Sequence, residues 1–314
     1  MSIRERLLEA FEGQDGRAVS GEKLAKHLAV SRVAVWKHVN ALKDLGFPLT
    51  SAERNGYRLG VPADCSLLKF AASKPTWGIP HYFLNTHSTQ TLAKVGAVSG
   101  LTEGHLWLAE TQSKGRGRLE RIWESPYGGL WFSLLVRPDM PPSLMPPLTL
   151  VAGLCLRDAI ESVCRVDAKL KWPNDLMVDS KKIAGILTEM SGQMDRTDWT
   201  VIGVGLDVNN AIAKPLTKIA TSLYQLTGKP WKRAVILRSF LEIFRPAYRR
   251  FEKQGFEPFQ MRYWSHYARP DSPVTIRTPH GLIKGIARGV DASGAIMIES
   301  RRKIRTISEG EIVV

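Results

Sequence analysis

Two apolar runs, Leu106-Trp107-Leu108-Ala109-Glu110 and Gly129-Leu130-Trp131-Phe132-Ser133-Leu134-Leu135-Val136, bracket the stretch that most constrains this chain. Each run reads as a strand, so residues 111–123 between them form a connecting loop. That loop contains Gly115-Arg116-Gly117-Arg118, followed by Arg121 and Trp123. Glycine lets a backbone approach a ligand closely and take up positive φ. Arginine supplies a planar, multi-donor cation suited to carboxylate and phosphate. Basic Gly/Arg tetrapeptides also occur in solvated loops, but here strands flank the motif on both sides, and the combination suits anion binding.

The chain has 314 residues, 44% of them hydrophobic. This is enough for a sizeable core and suggests two or three domains. No apolar run approaches the ~20 residues of a membrane helix, and the charged N-terminus lacks a signal-peptide core. Cys65, Cys155 and Cys164 are not spaced as metal ligands, which reads as reduced thiols in a cytoplasmic protein. The formal net charge of +14 invites nucleic acid as a partner. Residues 1–62 carry only +3 of it, however, and residues 63–269 carry +9. Anionic small molecules or an acidic partner protein explain the excess as well as DNA does.

At the N-terminus, Ile3, Leu7, Leu8 and Phe11 mark a helical face over residues 2–13, ended by Gly13 and Gly16. Ser20 caps a short helix over 21–28, and Ser31 caps a third from Arg32 to Leu45. Two capped helices joined by a tight turn make a helix-turn-helix. The spacing places Val33, Val39 and Leu42 inward, and leaves Ser31, Arg32, Trp36, Lys37, Asn40 and Lys43 for solvent or a DNA groove. Asn55-Gly56 predicts a hairpin turn, hence a wing with Arg54 and Arg58 near phosphates. A small packing domain is the alternative. Residues 62–65 form a linker.

In the middle region Tyr82 to His87 reads as a strand. Ser88-Thr89-Gln90 after it either caps the next helix or offers hydroxyls to a bound polar group. Residues 149–163 form a helix. Lys171, Asn174 and Asp175 cluster at a strand break made by Pro173. A hairpin turning at Asp179-Ser180 returns through Lys182, Ile183, Ala184 and Gly185; strict alternation puts Lys182 and Gly185 on opposite faces, so a twist or bulge at Gly185 is needed to bring both to one ligand. Gly203 and Gly205 weaken the strand 201–209, and close approach of a flat ligand or another backbone is the usual reason. They are not a dinucleotide fingerprint, because no helix follows with a third glycine in place. Residues 231–254 form an amphipathic helix facing inward through Val235, Ile236, Phe240, Ile243, Phe244, Tyr248 and Phe251. Residues 270–314 alternate short strands and turns at 279–281 and 291–294. They make a small β-barrel, marginal alone and docked on the middle domain.

Taken together and in this order, these stretches resemble the bifunctional biotin–protein ligase and biotin-operon repressor family. The resemblance rests on the winged helix, Ser88-Thr89, Gln112, Gly115-Arg116-Gly117-Arg118 with Arg121 and Trp123, Lys171-Trp172-Pro173-Asn174-Asp175-Leu176, Lys182 with Ala184-Gly185, Gly203-Val204-Gly205 and the C-terminal barrel. It implies an α+β fold in three parts: a winged helix-turn-helix over 1–62, a class II synthetase-like mixed sheet with helices over 63–269, and an SH3-like barrel over 270–314. It also implies an ATP-dependent, AMP-forming biotin ligase with biotin, ATP and Mg²⁺. The expected partners are the biotin carboxyl carrier protein, operator DNA, and a second copy of the chain once biotinyl-AMP is bound.

By the same resemblance, Lys182, Arg118 and Arg116 serve the chemistry. Ser88, Thr89, Gln90, Gln112, Gly115, Arg116, Gly117, Arg118, Lys182, Gly185, Leu187 and Gly203 hold biotin. Arg118, Arg121, Trp123, Lys171, Asn174, Asp175, Lys182 and Asn209 hold the nucleotide, with Asp175 the magnesium ligand. Two departures stand out. Gln90 replaces the family's asparagine, lengthening a ureido contact, and Asp207 stands where the glycine strand continues into asparagine. The alternatives are a ligase that no longer regulates, a biotin-sensing regulator without catalysis, and a lipoate–protein ligase of the same fold.

Overall fold

The computed structural model describes residues 1–313 apart from 13, 15, 53–55, 74 and 76. The expectations for Gly13, Arg54 and Asn55 fall outside the described residues.

Three short helices, α1 (Ile3–Glu9), α2 (Gly21–Leu28) and α3 (Arg32–Asp44), start at serines whose hydroxyls accept from backbone N–H groups three residues on. Strands β1 (Leu49–Ala52) and β2 (Gly56–Leu59) pair antiparallel as the wing. One expectation fails here. Val33 is 63% exposed, whereas Val35, Val39 and Leu42 are buried. The inward set follows the helical i, i+4, i+7 repeat, which a set beginning at Val33 breaks.

After α4 (Ser66–Ala72), the main sheet begins with β3 (Ile79–Thr86), followed by α5 (Thr89–Val98), β4 (His105–Gln112) and β5 (Leu130–Val136). Helix α6 (Leu148–Cys164) leads to β6 (Lys169–Lys171), β7 (Asp175–Val178), β8 (Lys181–Gly192) and β9 (Thr197–Leu206). Helices α7 (Leu223–Thr227), α8 (Arg233–Gln254) and α9 (Glu257–Ser265) complete this part. The seven strands run in the order β3-β4-β5-β9-β8-β7-β6; only β3 and β4 are parallel. Alternation along β4 and β5 sends Leu106, Leu108, Leu130, Phe132 and Leu134 into the core with α6 and α8, while Trp107 and Leu135 join Ala93 and Ala97 of α5 on the opposite face. On α8, Val235 is 48% exposed, against the inward position expected of it; Ile236, Phe240, Phe244, Tyr248 and Phe251 carry the contact.

The C-terminal strands β10 (Pro273–Thr278), β11 (Gly281–Val290), β12 (Ile296–Ser300), β13 (Lys303–Ile307) and β14 (Glu311–Ile312) form an antiparallel sheet ordered β13-β12-β11-β10-β14. Their apolar side chains merge with the central core, and the Trp172 indole donates to Gly294 O at 3.0 Å. Docking is what a sheet of this size needs to bury enough surface.

A buried arginine joins the linker to the sheet. Arg233, at the start of α8, is fully enclosed and bonds Asp64 Oδ2 at 2.9 Å and Glu110 Oε2 at 2.7 Å. Burial alone would raise the Asp64 carboxyl, but the Arg233 guanidinium brings it below its usual value. Burial wins at Glu110, whose carboxyl stays raised. Arg233→Ala strands two buried acids and should cost about 3–5 kcal/mol in urea unfolding; a loss under 1 kcal/mol would mean the network adds little.

Candidate functional site

The site lies on the α5 face of the sheet. Gly185 of β8 pairs with Gly205 of β9, and Leu187 with Gly203; Gly205 and Gly203 in turn pair with Trp131 and Ser133 of β5. Two adjacent glycines leave a patch of sheet without side chains. The Trp123 ring lies on it: a Cβ at Gly205 would stand 2.4 Å from Trp123 Nε1, and one at Gly185 2.9 Å from the ring. What approaches the glycines is the chain's own indole, neither the flat ligand nor the second backbone that the composition suggests.

Next to this patch is a polar floor. Ser88 caps α5, accepting from Thr91 N at 3.4 Å, so the capping alternative holds. Thr89 N and Thr89 Oγ1 donate to Gln112 Oε1 at 2.8 and 3.1 Å. Ser133 Oγ donates to Gln90 Oε1 at 3.0 Å and lies 2.9 Å from Thr89 Oγ1, whose one hydrogen is shared between Gln112 Oε1 and Ser133 Oγ. The longer Gln90 side chain spans to Leu187 O and Val201 O at 3.4 and 3.3 Å, so both ends of its amide are engaged by protein. A Cβ at Gly203 would lie 2.4 Å from Gln90 Oε1, which explains the glycine there.

The Gly-Arg loop folds over the floor as an irregular hairpin, with bridges between Gln112 and Ser125 and between Arg116 and Ile122. Its positive φ angles fall on Leu119 (55°) and Glu120 (56°), not on Gly115 or Gly117 as expected. Gly115 is required for a different reason: a Cβ there would meet Trp123 O at 2.2 Å. Arg116 pairs with Glu120 at 2.8 Å, and Arg121 with Glu311 of β14 at 2.5 Å. Arg118 reaches Asn174 Oδ1 at 3.5 Å and Gly310 O at 3.3 Å, and burial lowers its pKa.

Lys182 comes to the same cavity through a bulge. Leu176 pairs with Ala184 but Met177 with Lys182, so Ile183 is the extra residue. The bulge is at Ile183, two residues before the expected position, and it puts Lys182 Cε 3.2 Å from where a Gly185 Cβ would be. Lys182 Nζ lies 2.6 Å from Asp175 Oδ1, off the direction of a hydrogen bond, so the contact is ionic. It also stands 4.8 Å from the Trp123 ring centre. A second acid, Asp207, is buried at the end of β9 and accepts from Asn210 Nδ2 at 2.8 Å. Burial pushes its carboxyl up to about 7, despite the opposing pull of Asn210 and Lys182.

These groups line one cavity of about 540 Å³. It gathers Ser88, Thr89, Gln90, Gln112, Arg116, Gly117, Arg118, Lys182, Gly185, Leu187 and Gly203 with Arg121, Trp123, Lys171, Asn174 and Asp175. Two expected residues do not reach it. Gly115 is spent on the loop, and both ends of the Asn209 amide are taken by the Trp231 backbone at 2.8 and 2.9 Å. Sequence reasoning missed Ser133, Asn210, residues 211–213 and Glu311, all of which line the cavity. Ser133 left a signal, a lone hydroxyl in an otherwise apolar strand. The cysteines are buried away from this site, and burial raises the Cys65 and Cys164 thiols to about 12.

On α3, Arg32, Trp36 and Lys37 are exposed beside Val33, and Asn40 is half-buried on the same side. Arg58 of β2 is exposed, while the Ser31 hydroxyl is spent capping the helix. No described helix is long and apolar enough to cross a membrane.

Residues 82–207 match the Biotin/lipoate A/B protein ligase family, residues 4–58 an HTH domain and residues 271–314 the Biotin protein ligase C terminal domain. The bifunctional ligase/repressor BirA of Bacillus subtilis is 34% identical over 99% of this chain and 98% of its own length. The BirA of Escherichia coli is 29% identical over 95% and 93%. A biotin protein ligase from Aquifex aeolicus, solved in complex with biotin and ATP, superposes with a TM-score of 0.66 at 31% identity, covering 74% of this chain and 97% of that one. The chain belongs to the family of bifunctional biotin ligase/repressors.

Asp207 gives a pH prediction. Its folded carboxyl holds a proton more tightly than in the unfolded chain, so its contribution to stability is complete below pH ~4 and is lost as pH rises through about 7. Asp207→Asn removes that loss. Its stability relative to the parent chain should climb between pH ~4 and ~7 in thermal unfolding and level off above; a constant difference would show that Asp207 titrates normally.

Proposed function

We propose that this chain joins biotin to ATP, giving biotinyl-5′-AMP and pyrophosphate, and then transfers the biotinyl group to a lysine of a biotin carboxyl carrier protein. The observation that carries this reading is convergence: a polar floor, a side-chain-free patch of sheet and five cations, Arg116, Arg118, Arg121, Lys171 and Lys182, open into one cavity. In the first step a biotin carboxylate oxygen bonds to the α-phosphorus and the bond to the pyrophosphate oxygen breaks. In the second, the carrier amine bonds to the acyl carbon and AMP leaves. Both reactants of the first step are anions, so the cations lower its barrier by offsetting their repulsion where charge develops.

Within this reading Thr89 and Gln112 hold the ureido ring, with Ser88 fixing the helix start and Ser133 bracing Thr89. Trp123 stacks against the nucleotide or bounds the biotin chain. Lys182 exchanges Asp175 for the substrate oxygens, and Arg118 leaves Asn174 and Gly310 for the phosphate. Asp175 fits Mg²⁺ only as a single carboxylate, because no cluster of three metal-binding side chains occurs among the described residues; the phosphates would supply most of the ion's ligands, and the ion would screen their charge.

The winged helix supports operator binding through Arg32, Trp36, Lys37, Asn40 and Arg58, as a dimer formed when the adenylate is bound. An inverted-repeat operator requires such two-fold symmetry. The chain then divides functionally into 1–62, 63–269 and 270–314.

ATP–pyrophosphate exchange should depend on biotin and ignore lipoate; exchange driven by lipoate, or none, would reject the ligase assignment. Lys182→Ala should lower exchange by at least about 10²-fold, in the range of lost transition-state donors, and Arg118→Gly should release adenylate into solution. A wild-type rate in either variant removes that residue from the mechanism. A footprint on the organism's own DNA should appear only with biotinyl-AMP, and Trp36→Ala with Lys37→Ala should erase it while exchange continues.

A further inference from the structure

Ser125 lies on the return arm of the Gly-Arg loop, is buried, and has no role in the chemistry set out above. Its hydroxyl donates to Trp123 O at 3.0 Å and accepts from Gln112 Nε2 at 2.9 Å. A serine hydroxyl has one hydrogen, and Trp123 O takes it, so Gln112 is the donor in the second bond. The other end of Gln112 is fixed as well. Its Oε1 accepts from the backbone N–H of Thr89 at 2.8 Å, a group that can only donate. The amide therefore has one orientation, oxygen toward α5 and nitrogen toward Ser125, in a residue that lines the cavity. Ser125 uses one of the two Nε2 hydrogens, leaving the other for a ligand acceptor.

The backbone is built around this contact. Gln112 N donates to Ser125 O at 3.1 Å and Trp123 N to Gly115 O at 2.9 Å. A Cβ at Gly115 would lie 2.6 Å from Ser125 Oγ and 2.2 Å from Trp123 O, so the first glycine of the motif makes room for the link. One hydroxyl thus connects the floor that meets the ligand to the arm that carries Trp123.

We propose that Ser125 is a positioning residue: it orients Gln112 to donate to the ureido carbonyl of biotin, and ties that contact to the placement of Trp123 over the glycine patch. The inference rests on the function proposed above. In it, loss of the hydroxyl leaves Gln112 held at its oxygen end only, by Thr89, and Trp123 O without its donor, so biotin recognition and retention of the adenylate weaken together, while Arg118, Arg121 and Lys171 keep their own contacts.

The test is exchange kinetics on the full chain with Ser125→Ala, Ser125→Thr, Gln112→Ala and the Ser125→Ala/Gln112→Ala pair. Ser125→Ala should raise KM for biotin about tenfold, the effect of one lost buried hydrogen bond, with a clearly smaller rise in KM for ATP and faster escape of preformed adenylate. Ser125→Thr, which keeps the hydroxyl, should restore the parent values. In the double variant Ser125→Ala should add little to the rise in biotin KM caused by Gln112→Ala, since there is no longer an amide to orient, while its effect on adenylate escape through Trp123 remains. Parallel rises in both KM values, or rises in biotin KM that multiply in the double variant, overturn the proposal. An active parent with an unaltered Ser125→Ala overturns it alone, whereas a parent that does not exchange at all overturns the ligase function and this inference together.

Discussion

Two anions resist being brought to bonding distance, and a dry cavity makes the resistance worse. At 4 Å a pair of unit charges repels by about 4 kcal/mol at an effective dielectric of 20. The structure answers with cations from three separate parts of the chain. Arg116, Arg118 and Arg121 come from a loop, Lys171 from the end of β6, and Lys182 from a bulged strand start. Three of these cations are paired with acids of the chain itself: Lys182 with Asp175, Arg116 with Glu120, Arg121 with Glu311. Such exposed or half-exposed pairs are individually weak, so a substrate anion can displace them at low cost.

The rest of the site follows from geometry that a sheet provides and a helix does not. A glycine pair on neighbouring strands leaves a bare, rigid surface, and a bulge at Ile183 rotates one lysine onto that surface. The parallel strands β3 and β4 end together, so Ser88, Thr89 and Gln112 meet at the start of α5. Anchoring the Gly-Arg loop to the C-terminal sheet through Arg121 and Glu311 makes the third domain part of the cavity wall.

Much of this was legible in the residues. Serine caps, the Asp179-Ser180 turn, the glycine strand and the cationic loop each have a local cause, and local causes can be read along a chain. What was missed depends on register and on tertiary partners. Val33 and Val35 are two residues apart and differ only in which face the helix turns inward. The bulge shifted to Ile183 because two buried side chains in succession, Ile183 and Ala184, both seek the core. Asn209 reads as a ligand group until Trp231, twenty-two residues later, takes both ends of its amide. Ser133 and Ser125 act through contacts across the sheet and within the loop, which no spacing rule encodes.

The central claim, that the loop arginines and Lys182 leave their internal partners to meet at one shared anionic centre, is tested most directly by a crystal structure with a non-hydrolysable biotinyl-adenylate analogue. The account predicts Lys182 Nζ and the Arg118 guanidinium within hydrogen-bonding distance of the acyl-phosphate oxygens, the ureido group on Thr89 and Gln112, and Asp175 no longer paired with Lys182. An analogue bound with Lys182 still held by Asp175 and Arg118 still on Gly310 would contradict it.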